Sequence, residues 1–139
     1  AALAAGTFRQ TVADAVACCL DARMGEVYFG VYLRDTEEGV RALAADALLN
    51  PDAVSLPEAG AFLAVGPGWA VHPQLAARLR ARLIDVLPEQ LPSAADVARL
   101  ARPRFLAGRV VLPAEALPNY LRDRVTSVAQ TRPVGRNEP

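Results

Sequence analysis

Between residues 15 and 35 the apolar positions fall into short alternating runs. Val16, Cys18 and Leu20 alternate with small residues in AVACCL, which has the character of a buried strand. After a turn near Gly25, Val27, Phe29, Val31 and Leu33 share one face while Tyr28, Gly30, Tyr32 and Arg34 share the other. This predicts two antiparallel strands, the second ending at the polar loop DTEEG, residues 35 to 39.

Upstream, the Ala-rich residues 2 to 10 with Leu3 and Phe8 predict the end of a helix. Downstream, residues 40 to 49 fit a helical stripe (Val40, Leu43, Ala44, Ala47, Leu48) and a third strand equally well. Asn50-Pro51-Asp52 predicts a turn and a short helix over 52 to 56, and AFLAVG a strand running into the glycine turn GPGW. His72-Pro73 opens a predicted helix in which Leu75, Leu79 and Leu83 recur every four residues. Ser93 three residues before Asp96 is a capping signal for a further helix, which Pro103 either kinks or divides and Gly108 closes. VVLP is expected to be extended. TRPVGRNEP has few apolar anchors, and residues 126–139 are expected to form a flexible tail.

Composition narrows the function classes. At 139 residues the chain can bury one sizeable core. Its 15 basic residues, all Arg, balance 15 acids, so no field of one sign favours direct binding of nucleic acid or an anionic membrane. Cys18 and Cys19 are adjacent and would point to opposite strand faces, which disfavours a mutual disulfide and fits a reducing cytoplasm. No apolar run approaches the roughly 20 residues that span a bilayer. The opening AALAAG, without Met, reads as a break inside a longer protein.

Two turns are candidate sites. In DARMGE, Asp21, Arg23, Gly25 and Glu26 set one cation between two acids at a hairpin mouth, which could face a phosphate or tie itself shut. In AVGPGWAVHP, Gly66, Gly68 and Trp69 form a glycine turn that could approach a nucleotide. It matches neither a P-loop nor GxGxxG, so a plain strand-to-helix turn with Trp69 packed over it is the commoner reading. His72 is the single histidine and most simply a helix-entry residue. Zinc, haem and hydrolase arrangements all lack parts. RLRAR at 78 to 82 reads as a solvated face.

The segment CLDARMGEVYFGVYLRD (19 to 35) resembles the signature of the second half of the bacterial TsaB (YeaZ) family, whose proteins serve threonylcarbamoyladenosine biosynthesis on tRNA. The resemblance continues in order through VGPGWAVHP (65 to 73), LPSAADVARLA (91 to 101) and PNYLRDRV (118 to 125). It implies an α/β fold: the second lobe of an actin, Hsp70 and sugar-kinase-like (RNase H-like) architecture, with a mixed sheet, an antiparallel meander and flanking helices. Residues 1–125 would form that C-terminal lobe, with the N-terminal lobe outside this chain and residues 40 to 49 as the third strand of the meander.

The family role implied is a non-catalytic scaffold acting with TsaD and TsaE. The lobe alone is expected to bind no cofactor, and the assembled complex admits ATP and a divalent metal. The resemblance also admits a homodimer, tRNA contact only through the complex, and no membrane association. At the position where active kinases and chaperones of this superfold carry a glycine-rich phosphate loop, Arg23 and Met24 stand in the run, which removes the close backbone approach that phosphate binding needs. The alternatives are a nucleotide-binding lobe using Asp21, Arg23 and Glu26, and a peptidase, for which no nucleophile, base and orienter can be assembled. An exposed apolar strip is expected where the other lobe would pack.

Overall fold

The computed structural model describes residues 1–58 and 60–122. The predicted flexible tail, 126–139, lies outside these. Helix α1 (Ala2–Gln10) leads into strands β1 (Ala15–Asp21) and β2 (Val27–Asp35), then β3 (Gly39–Ala42) and β4 (Ala47–Leu49). β5 (Phe62–Val65), α2 (Gly68–Val71), α3 (Pro73–Leu79), β6 (Leu83–Leu87) and α4 (Ala94–Leu106) follow.

The sheet runs β3-β2-β1-β5-β6, with β4 also paired to β2. The hairpin and its continuation are antiparallel, with Cys18 opposite Gly30 and Tyr28 opposite Leu48. β1–β5 and β5–β6 are parallel. Parallel pairing needs a crossover, and α2 and α3 supply the one between β5 and β6.

Period-2 alternation divides the core between the two faces of this sheet. Val16, Cys18, Tyr32, Leu63 and Val65 pack with Leu3, Ala4 and Phe8 of α1. Ala17, Cys19, Val27, Phe29, Val31, Phe62 and Ala64 pack with Trp69 and Leu75 on the other side. Trp69 is 1% exposed, meets Phe29 edge-on at 6.2 Å, and donates its Nε1 proton to the Ala17 carbonyl at 3.1 Å. Removing this anchor by Trp69→Ala would cost about 3–5 kcal/mol.

α4 lies against α1 through one buried carboxylate. Ser93 caps the helix by accepting the Asp96 amide, and its hydroxyl donates to Asp96 Oδ2 at 2.7 Å. Oδ1 receives Arg9 at 2.6 Å and Arg99 at 3.3 Å. The charge is buried but fully paired, the condition under which such burial is tolerated.

The fold corrects four sequence readings. The single third strand is two short ones, both on β2, and Asp46 between them accepts the Tyr32 hydroxyl. The helix opened at Pro73 ends at Leu79, so Leu83 belongs to a strand. Four-residue leucine spacing matched a helix only because the next buried position happened to fall in register. Of the two alternatives at Pro103 the structure excludes division, since α4 is one helix from Ala94 to Leu106. Finally, the RLRAR arginines do more than meet solvent. Arg78 donates to the carbonyls of Pro51 and Val54, and Arg82 to those of Pro57 and Gly60, pinning the connection before β5. The predicted short helix after Asn50 is a single 3-10 turn, Pro51–Ala53, capped by the Asn50 side chain.

Candidate functional site

Both candidate turns converge on the end of β1. At Gly66 (φ +102°) an added Cβ would stand 2.5 Å from the Cys19 carbonyl oxygen, and at Gly68 it would stand 2.5 Å from Cys19 Sγ. The glycines therefore let the start of α2 close onto the β1 backbone, a packing requirement in itself. His72 follows at the joint of α2 and α3 and brings Nε2 to 3.9 Å from Asp21 Oδ1. That nitrogen is buried and finds no hydrogen-bond partner among the described residues. Trp69, singled out with the glycines, points into the core.

The hairpin turn takes its shape from three successive left-handed residues: Arg23 (φ 63°), Met24 (φ 55°) and Gly25 (φ 76°). Only the last is the residue type that favours this region, so the other two carry strain that the surroundings hold in place. The Ala22 amide donates to the Glu26 carbonyl at 2.9 Å and the Glu26 amide to Arg23 at 3.1 Å. The Asp21 carboxylate caps the Arg23 amide at 3.0 Å and pairs with its guanidinium at 3.3 Å.

Arg122 completes the arrangement. Its Nη1 lies 2.7 Å from Glu26 Oε2, and its Nη2 donates to the Ala22 carbonyl at 3.0 Å. Asp21 thus pairs with Arg23, and Glu26 with Arg122. What remains outward is the Arg23 side chain and Met24, both largely exposed.

Chemically, two carboxylates flank the turn and the amides of Ala22, Arg23 and Glu26 are already bonded within it, so it offers phosphate little positive field. Among the described residues no group of three His, Cys, Asp or Glu side chains is placed to hold a metal ion. Of the two β1 thiols, Cys19 faces the glycine turn and Cys18 the α1 side, and burial pushes both up to about 12. The structure brings Asp21, Arg23, Gly25 and Glu26 together as the sequence implied, and sets Gly66 and Gly68 one strand away. It adds His72 and Arg122. Arg122 lies so far along the chain that no local spacing could have tied it to the turn.

Comparison with known proteins gives a consistent set of relatives. A protein of Escherichia coli (strain K12), "tRNA threonylcarbamoyladenosine biosynthesis protein TsaB", is 36% identical over 129 residues, covering 88% of this chain and 54% of the relative. A protein of Haemophilus influenzae with the same description is 28% identical over 133 residues, covering 90% and 55%. The solved structure "YeaZ from Pseudomonas aeruginosa" superposes with a TM-score of 0.72 at 31% identity, covering 87% of this chain and 56% of that one. A second, described as an uncharacterized protein with similarity to peptidase YEAZ from Pseudomonas aeruginosa, gives 0.71 at 30%. No family model matches the chain. The chain spans about half the length of the curated relatives it matches.

Proposed function

Because this chain belongs to the TsaB (YeaZ) family while spanning about half the length of its curated relatives, we propose that it is the C-terminal lobe of a non-catalytic scaffold subunit in tRNA threonylcarbamoyladenosine synthesis. The subunit acts in the cytoplasm beside TsaD and TsaE, and meets tRNA through the assembled complex. Any ATP or divalent metal belongs to that complex.

The observation that carries this reading is the self-occupied hairpin turn. Asp21 pairs with Arg23 and Glu26 with Arg122 where a phosphate-binding relative would leave open backbone amides. A scaffold has use for a rigid turn with an exposed Arg and Met, and no use for a nucleophile. The sheet order and mixed strand directions are those of a lobe of the actin, Hsp70 and sugar-kinase-like architecture.

A second reading, nucleotide binding across the cleft, has one observation in its favour: His72 Nε2, buried without a partner beside Asp21. Replacing Arg23 by Ala separates the two. Nucleotide affinity of the assembled complex is expected to stay unchanged under the scaffold reading and to fall under the other.

The direct test is complementation. A bacterial strain depleted of its own TsaB receives either a full-length TsaB carrying this chain as its second half or the 139-residue chain alone, and threonylcarbamoyladenosine in bulk tRNA is quantified by mass spectrometry. Restoration by the full-length form and not by the chain alone is expected. Failure of both overturns the proposed role.

A further inference from the structure

His72 is the single histidine of the chain, and it sits at a joint. It ends α2 and begins α3 with φ −121° and ψ 69°, a backbone that belongs to neither helix. Its ring is carried onto the sheet because α2 packs on β1, where Gly66 and Gly68 let the backbones close. The residue is 9% exposed, and its Nε2 is buried with no hydrogen-bond partner among the described residues. Buried polar atoms are nearly always bonded, so an orphan of this kind calls for a physical reason.

The ionisable groups around it are few. β1 brings Cys19 and Asp21 on its α2 side, α2 carries no ionisable side chain, and the one charged residue of α3, Arg78, is engaged by the carbonyls of Pro51 and Val54. Burial pushes the Cys19 thiol up to about 12, which leaves it neutral at physiological pH. Asp21 remains, with Oδ1 3.9 Å from Nε2, about 1 Å beyond a charge-assisted hydrogen bond. Asp21 is itself shared: Oδ1 accepts the Arg23 amide at 3.0 Å and Oδ2 faces the Arg23 guanidinium at 3.3 Å. In a neutral imidazole Nε2 is a lone pair or an N–H that reaches nothing. In a protonated one it is a cationic N–H facing a carboxylate, across a gap that a small side-chain rotation closes.

We propose that His72 and Asp21 form a proton-operated latch: protonation of His72 closes the gap into a buried ion pair that fastens the α2–α3 joint to the end of β1 and loosens the hold of Asp21 on Arg23. The latch does not depend on the scaffold reading. The turn's two acids, Asp21 and Glu26, balance Arg23 and Arg122 while the imidazole is neutral. A charged His72 leaves one positive charge in excess, beside an Arg23 side chain that is 89% exposed. Acid thus fastens the glycine turn and gives the outward tip of the hairpin a net positive charge. The ion pair exists only with the ring protonated, so the stability it adds is present at the acid end of the imidazole range and lost as pH rises through it.

With no second histidine to titrate beside it, the latch is read in the intact 139-residue chain. Between pH 8 and pH 5.5 the folding equilibrium constant from urea unfolding is expected to rise by about fivefold in the parent, and to stay within about twofold in His72→Gln and in Asp21→Asn. Asp21→Asn keeps an oxygen for the Arg23 amide, so it removes the carboxylate charge and spares the turn's cap. Burial lowers the Ala1 ammonium, which titrates nearby, but it is common to all three chains and cancels. In proton–nitrogen spectra the Arg23 amide should shift with the same midpoint as the His72 ring signals, and hold still in His72→Gln. Should a variant fail to fold, the parent's Arg23 amide decides alone. A parent no more pH-dependent than the variants, or an Arg23 amide that stays fixed while the ring titrates, would overturn the latch. So would His72 ring signals that move on adding ATP at constant pH, since the orphan nitrogen would then belong to a nucleotide site.

Discussion

Arg122, the last described residue, and Glu26 of the first hairpin meet at 2.7 Å and close the β1–β2 turn from outside. The same guanidinium takes the Ala22 carbonyl, so one side chain holds both the acid and the backbone of a strained hairpin. Arg122→Ala leaves both without their donor. A loss of about 1–2 kcal/mol is expected in urea unfolding, with faster amide exchange at Ala22 and Glu26 than elsewhere in the sheet. Arg122→Lys should recover only part, because an ammonium cannot span the two acceptors in the same fork.

The turn's left-handed residues predict opposite effects at neighbouring positions. Met24→Gly removes a side chain from an unfavourable φ at an exposed site, and is expected to stabilise by about 0.5 kcal/mol after the added freedom of the unfolded chain is subtracted. At Gly25 an added Cβ meets nothing within 4 Å, so Gly25→Ala should destabilise by about 1 kcal/mol through backbone strain alone. Thermal midpoints of the two variants moving in the same direction would contradict this account.

Asp96 ties α4 to α1, and its ionised form is favoured. The Ser93 hydroxyl, ahead of Arg9 and Arg99, holds its carboxyl below the usual range. A folded-state pKa below the unfolded one contributes stability that is present above about 4 and lost as pH falls through the folded value. Asp96→Asn is expected to cost about 2–3 kcal/mol at pH 7, since it leaves Arg9 and Arg99 facing a neutral group. The difference from the parent should shrink in unfolding measurements taken progressively below pH 4.

The alkaline limb has the opposite sign. Cys18 and Cys19 are pushed up to about 12 by burial, and burial with the Asp46 hydrogen bond also raises the Tyr32 phenol. Above about pH 9 the unfolded chain sheds these protons first, so stability falls as pH rises toward 12. The urea midpoint should drop between pH 8.5 and 10.5, and the double variant Cys18→Ala, Cys19→Ala should show a shallower slope. At pH 8 alkylation of either thiol should proceed no faster than unfolding.

Local patterns carried the elements whose signal is short in range. Strict alternation from Val27 to Arg34, the Ser93 cap three residues before Asp96, and the glycine ending at Gly108 each state their own geometry, because side-chain period and backbone capping act within a few residues. β6 was hidden because Leu83 continued a four-residue spacing that a helix would also produce. The split of the third strand accompanies a contact between segments, Asp46 accepting from Tyr32, that local pattern does not encode.

The same division holds for the candidate site. Residue spacing is enough to place Asp21, Arg23, Gly25 and Glu26 on one hairpin and a glycine turn after β5, and the ordered motifs carry the family resemblance. The closure of Gly66 and Gly68 onto Cys19, the approach of His72 to Asp21 and the pairing of Arg122 with Glu26 arise from the folded arrangement of distant segments. Hydrophobic periodicity fixes which face of an element is buried, whereas the pairing of charges across distant segments depends on where the whole sheet sets their backbones.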